Sequence, residues 1–228
     1  MTDSTILITG ASGGIGEATA EAFATRGWRV ILCSRRRSPL EEIAATVSEA
    51  GGTPVVAPLD VTDENDVFFT IAESVDGALD VVIPAAVTTT GPPGDRPLGE
   101  ETYDEFDSVM NTNVRGLFAV IRESLQFMPS DGRVLVPSGS IAREPAAGMG
   151  AYGVSKAAVE GIARSFAADV QQTVGIVDPG IVSTDLTDNM GRDPDSVAEL
   201  FRWAGEECPA ADLDGKIIDL KQWKQATQ

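Results

Sequence analysis

Short apolar runs alternate with longer segments in which apolar residues recur at helical spacing along almost the whole chain. That alternation predicts βαβ units joined into a parallel sheet. Thr5–Thr9, TILIT, predicts a first strand, and residues 14–26 a helix whose Ile15, Ala18, Ala22 and Phe23 face the sheet. Residues 28–33 predict a second strand, 39–50 a helix closed by Gly51 and Gly52, and 54–58 a third strand. VTDENDVFFTIAESV reads as a helix with an acidic first turn, which the helix dipole favours. Residues 79–83 predict a fourth strand, and the Gly/Pro-rich stretch TTTGPPGDRPLG, 88–99, a loop too rigid and short to link domains. Beyond it the pattern predicts a long helix over 100–127, a strand at Arg133–Pro137, a long helix over 152–171 and a strand at 173–177. A short helix over 194–205 and a last strand at 216–220 complete it. No repeat or low-complexity tract interrupts the series, so residues 1–228 are expected to form one α/β domain.

Charge narrows the function. The formal net charge is −18, from 35 acidic and 17 basic residues. That is far outside the magnitude of ~2–8 that suffices for solubility, and it argues against nucleic acid as a partner. The excess fits either a generally acidic surface or adaptation to concentrated salt, where screening shortens to ~3 Å at 1 M. The spread of acids along the chain and the preference for arginine over lysine favour the second. No apolar stretch approaches the ~20 residues of a membrane span. The start has no basic region before its apolar run, unlike a signal peptide. Cys33 and Cys208 lack metal-ligand spacing, so a reduced, cytoplasmic setting is expected, with no metal site. The chain contains no histidine, which removes Ser-His-Asp and Cys-His triads and histidine metal ligation.

Three stretches carry chemistry. TGASGGIG, Thr9 to Gly16, lies between a predicted strand and helix, and points to dinucleotide binding by Gly10, Ser12, Gly13, Gly14, Ile15 and Gly16. Its glycines permit a tight turn and close backbone approach, and the helix start offers free amides to a pyrophosphate. CSRRR, Cys33 to Arg37, closes the second strand where an NAD site carries an acid for the ribose hydroxyls. Ser34, Arg35 and Arg36 suit a ribose 2′-phosphate instead, so NADP(H) is favoured over NAD(H), with Arg35 as the leading contact. Tyr152 and Lys156 stand four apart on one face of a predicted helix. A free phenol titrates near ~10. An ammonium at 4–6 Å, with an effective dielectric of ~20, is worth roughly 3–4 kcal/mol, or ~2–3 pKa units, towards the phenolate. The spacing alone equally fits a chance surface pair.

TGASGGIG, LDVTD, NTNVRGLF, AYGVSKAAVEG and DPGIVSTDL follow one another in an order that resembles the short-chain dehydrogenase/reductase family over nearly the whole chain. The resemblance implies a Rossmann-type, doubly wound parallel sheet of about seven strands. It also implies hydride transfer between a nicotinamide and a small ketone, aldehyde or secondary alcohol. Tyr152 matches the family's acid/base, Lys156 its partner and ribose ligand, and Asn113 the asparagine of the proton relay. Asp60 and Val61 match the adenine side, Ala85 and Ala86 the segment after strand four, and Pro179, Gly180, Ile181 and Thr184 the segment beside the carboxamide.

Three departures stand out. PAAV, Pro84 to Val87, replaces the family's NNAG. The usual position of the catalytic serine falls on Gly139, between Ser138 and Ser140; the following SIA favours Ser140. The carboxyl-terminal region is short, which leaves residues 186–192 to fold over the site and suggests an open or simple pocket lined by residues 88–90, 141–143 and Met190. A non-catalytic NADP(H)-sensing protein and a dehydratase or epimerase are the alternative functions. The resemblance implies a homodimer or homotetramer built on helices 100–127 and 152–171, whose apolar faces equally fit burial on the sheet.

Overall fold

The computed structural model describes residues 4–92, 94–144 and 146–227. Strands β1 (Thr5–Thr9), β2 (Arg29–Ser34), β3 (Thr53–Pro58), β4 (Val81–Pro84), β5 (Arg133–Pro137), β6 (Thr173–Asp178) and β7 (Ile217–Asp219) form one sheet in the order β3-β2-β1-β4-β5-β6-β7. Every pairing is parallel. Strand order therefore reverses between β1 and β4, and a crevice opens at their carboxyl ends, where doubly wound sheets bind ligands. The β4–β5 ladder runs only from Val81↔Arg133 to Val82↔Val134, and β3, β4 and β5 each end on a proline, which has no N–H to extend a ladder.

Successive residues of each central strand enter opposite layers. Ile6, Ile8, Leu32 and Ile83 pack with Phe23, Leu200 and Phe201, whereas Leu7, Ile31, Val82 and Val136 pack with Val120, Ile121 and Val159. Burial on both faces explains why these strands read as continuous apolar runs. Helices α1 (Gly14–Ala24) and α2 (Arg37–Glu49) pack with α7 (Asp195–Glu206) on the first side, and α3 (Glu64–Ser74), α4 (Tyr103–Met110), α5 (Leu117–Ser124) and α6 (Gly150–Asp169) on the second. No described helix is long and apolar enough to cross a membrane.

The expected helix over 100–127 is divided. It begins at Tyr103 behind a capping box of Thr102 and Glu105, and passes through a π-helical segment, Asn111–Gly116, before α5 and a tight turn, Leu125–Phe127. Gly116 lies so close to the loop after β3 that a Cβ there would stand 2.7 Å from Val61 Cγ2. The other long helix starts two residues early, at Gly150, and ends at Asp169. The last strand is shorter than expected because its final residue, Asp219, also caps α9 (Leu220–Ala226), which takes up Leu220; this helix and α8 (Ala210–Leu213) extend the predicted series.

Candidate active site

The glycine turn between β1 and α1 leaves no room for side chains. A Cβ on Gly10, at φ +70, would stand 2.7 Å from the Ala85 carbonyl oxygen, and one on Gly16 would stand 2.3 Å from that of Gly10. Gly13 caps α1 without a side-chain hydrogen bond, so the first-turn amides stay available to an anion. The PAAV segment is held from outside. Thr9 Oγ1 accepts the Ala86 N–H at 3.1 Å, and Ala85 donates to the Ile83 carbonyl at 3.0 Å.

A cleft of about 600 Å³ runs from this turn past Ser34, Arg35 and Arg36 to Asp60 and Val61. The three adjacent arginines separate: Arg35 and Arg36 line the cleft, while Arg37 opens α2 and lies 3.9 Å from Glu41. Ser34 Oγ donates to the Arg36 carbonyl at 3.3 Å. Asp60 Oδ1 accepts the Thr62 N–H at 2.9 Å and its hydroxyl at 2.7 Å. These bonds, with the Arg35 charge as a smaller contribution, hold the Asp60 carboxyl below its usual range. Glycine backbone able to approach a pyrophosphate and the Arg35 and Arg36 guanidiniums thus line one cleft.

Tyr152 and Lys156 share a face of α6. The Lys156 ammonium lies 5.7 Å from the Tyr152 ring centroid and donates to the Pro137 carbonyl at 3.1 Å. The expected lowering of the phenol by this neighbour is not what the chain alone produces: burial pushes Tyr152 up to about 12. Desolvation of the phenolate outweighs one ammonium set beside the ring. Burial also pushes Lys156 down to about 8, opposed by the charges of Asp178 and Glu160.

Asn113 lies in the π-helical segment, an element that recurs at functional sites. Its Nδ2 donates to the Thr88 carbonyl and to Ser155 Oγ, both at 3.0 Å, and its Oδ1 accepts the Thr88 N–H at 2.8 Å. Ser155 Oγ in turn donates to the Tyr152 carbonyl at 2.7 Å. Asn113 thus clamps the loop after β4 to the tyrosine helix, and its amide hydrogens are fully used.

The two serines part company. Ser138 is buried and donates to Glu160 Oε1 at 2.8 Å. Ser140 is exposed and opens the tight turn Ser140–Ala142. Gly180, at φ +71, and Ile181, 70% exposed, follow the buried end of β6, and the Thr184 methyl lies where a Cβ of Gly14 would need to be. The segment beyond closes on itself, since Ser183 donates to the Arg192 carbonyl at 2.7 Å and Arg192 donates to that of Ile181 at 2.9 Å, leaving Met190 64% exposed at its tip.

Several further residues shape the site through contacts that no motif reading assigns to them. Glu101 accepts Thr90 Oγ1 and the Ala151 N–H, both at 2.7 Å, and so straps the Gly/Pro-rich loop to the start of α6. Thr9, Ser155, Arg143, Glu160 and Asp178 act equally indirectly.

The family model described as short chain dehydrogenase matches residues 4–195. A hydroxynaphthalene reductase-like protein Arp2 of Metarhizium acridum (strain CQMa 102) is 33% identical over 189 residues, covering 80% of this chain and 69% of the relative. An uncharacterized oxidoreductase of Staphylococcus aureus (strain MW2) is 29% identical over 217 residues, 90% of this chain and 91% of that protein. Among solved structures, an alcohol dehydrogenase from the archaeon Thermococcus sibiricus, complexed with 5-hydroxy-NADP, is similar at a TM-score of 0.83 and 26% identity, over 95% of each chain.

Proposed function

The chain belongs to the short-chain dehydrogenase family of oxidoreductases, and on that premise we propose that it is an NADP(H)-dependent carbonyl reductase or alcohol dehydrogenase acting on a small ketone, aldehyde or secondary alcohol. The observation that carries this reading is the pairing of Tyr152 with Lys156 at the carboxyl edge of the sheet, where the glycine cradle also lies. Gly10, Gly14, Gly16 and the first amides of α1 would hold the pyrophosphate, Arg35 and Arg36 the 2′-phosphate, and Asp60 with Val61 the adenine side. When bound, the nicotinamide supplies the hydride chemistry. Tyr152 gives its proton to the carbonyl oxygen in reduction and takes it from the alcohol in oxidation. With its phenol pushed up to about 12, Tyr152 carries the proton that reduction needs at neutral pH, whereas oxidation starts from the phenolate. Lys156 is an ammonium below about 8, and its charge favours whichever step leaves negative charge on Tyr152. The exposed Ser140 hydroxyl donates to the substrate oxygen, and Asn113 keeps the loop after β4 and the tyrosine helix in register.

The test is NADPH absorbance during incubation with a panel of small ketones and aldehydes in molar salt, chosen for the −18 charge. Stoichiometric loss of NADPH with alcohol formation is expected. Turnover without net cofactor change would assign a dehydratase or epimerase, and binding without turnover a nucleotide sensor. The sensor reading draws on the departure at the PAAV segment, whose main chain Thr9 holds through the Ala86 N–H.

Cofactor choice gives a second expectation. Charged hydrogen bonds contribute about 1.5–3 kcal/mol, so Arg35→Ser should weaken NADPH binding by about ten- to a hundredfold. NADH affinity should change little in the same titration. Equal losses for both cofactors would place Arg35 away from the 2′-phosphate. As a homodimer or homotetramer, the protein would bury the exposed Phe118 of α5 and Val154 of α6.

A further inference from the structure

Close enough to Lys156 for its carboxylates to act on that ammonium lies a cluster of charges that the reaction scheme above does not use. Glu160, 1% exposed, stands one turn after Lys156. Its Oε1 accepts Ser138 Oγ at 2.8 Å and Arg143 Nη1 at 3.2 Å, and its Oε2 accepts Arg164 Nη1 at 3.3 Å. Asp178, 8% exposed, ends β6; its Oδ1 accepts the Gly180 N–H at 3.0 Å, and its Oδ2 pairs with Arg143 Nη2. The main chain of Arg143 donates to the Ser140 carbonyl at 2.9 Å. One residue therefore joins the serine turn, the tyrosine helix and the start of the Pro179–Thr184 run.

We propose that Arg143 is a positioning residue for catalysis: its guanidinium, shared between Glu160 and Asp178, balances the two buried carboxylates near Lys156 and locks the Ser140 turn to both. The proposal rests on the reading of Tyr152 and Lys156 as the acid/base pair. A buried carboxylate is tolerated only when paired, and an unbalanced one acts at short range in a low dielectric. The charged groups facing the pair are few among the described residues. Glu160 and Arg164 come from α6 itself, Asp178 from β6, Arg143 from the turn after β5, and Glu101 from the loop before α4, where it holds the Ala151 N–H. With Lys156 this gives three cations against three carboxylates. Loss of the Arg143 charge leaves one negative charge in excess, which opposes a phenolate on Tyr152. Loss of the Asp178 charge leaves one positive in excess, which favours it.

The signs make the test. Alcohol oxidation with NADP⁺ is followed against pH, alongside the phenolate absorbance of the NADP⁺-bound protein referred to Tyr152→Phe. Arg143→Met is expected to move both midpoints up by about one pH unit, and Asp178→Asn to move both down by about as much. Arg143→Lys should return them most of the way. Unmoved midpoints in Asp178→Asn, or shifts of the same sign in the two variants, overturn the proposal. If Arg143→Met does not fold, the downward shift in Asp178→Asn together with recovery in Arg143→Lys decides it. A Tyr152→Phe protein that still turns over would sink the acid/base reading instead, so the two failures are separate.

Discussion

Tyr152→Phe is expected to lower kcat by about 10²–10⁴-fold while leaving the Kd for NADPH within a few-fold of its original value. The substitution removes one oxygen and keeps the ring that packs on α6. No neighbour stands ready to replace the lost proton donor. Lys156 is tied to the Pro137 carbonyl at 3.1 Å, with its ammonium over the ring and 5.7 Å from its centroid. Ser140 is a donor, but a free hydroxyl in water titrates too high to act as the acid unaided. The cofactor contacts proposed above lie mostly on the glycine turn and at Arg35, far from Tyr152 in sequence and on different elements. Fluorescence titration with NADPH and single-turnover kinetics separate the two quantities. If kcat stays within tenfold, the proton reaches the substrate from elsewhere and the assignment of Tyr152 fails.

That prediction could be made from the chain alone, and the reason is physical. A turn that brings backbone within 2.7 Å of a Cβ position admits only glycine, so Gly10 and Gly16 announce their geometry. Strands buried on both faces must be apolar throughout, so Thr5–Thr9 and Arg133–Pro137 were bounded correctly. The π-helical segment was illegible, because Val114 and Leu117 keep an acceptable helical spacing with or without the extra residue. What widens the helix is the tight approach of Gly116 to Val61, a contact between distant parts of the chain. The charge bridge was hidden for a related reason. In a chain with 35 acidic residues, Glu160 and Asp178 look like two more solvated carboxylates until folding buries them against Arg143. In the chain alone the Tyr152 phenol is raised, because the cost of desolvating the phenolate, which residue spacing does not reveal, outweighs the nearby ammonium. Chemistry requiring a particular residue type was readable, whereas chemistry arising from burial was not.

The serines test that distinction directly. Ser138→Ala removes a donor from a carboxylate that is 1% exposed, and is expected to lower unfolding free energy by about 1–3 kcal/mol. Ser140→Ala should leave stability within about 0.5 kcal/mol, since its side chain is exposed and only its carbonyl accepts the bonds that close the turn. Activity should behave in the opposite way. Loss of a hydroxyl aimed at the developing alkoxide lowers kcat by about 10²–10³-fold, and that loss belongs to Ser140. Ser138 cannot face the substrate without first leaving Glu160, which would strip a donor from a buried charge and expose the Arg143 bridge. Denaturant melts in molar salt and steady-state NADPH kinetics on the two variants give four numbers. A large kcat loss in Ser138→Ala, with Ser140→Ala near the original rate, would mean that the buried hydroxyl swings to the substrate and that the carboxylate beneath it is a catalytic partner, not a structural anchor.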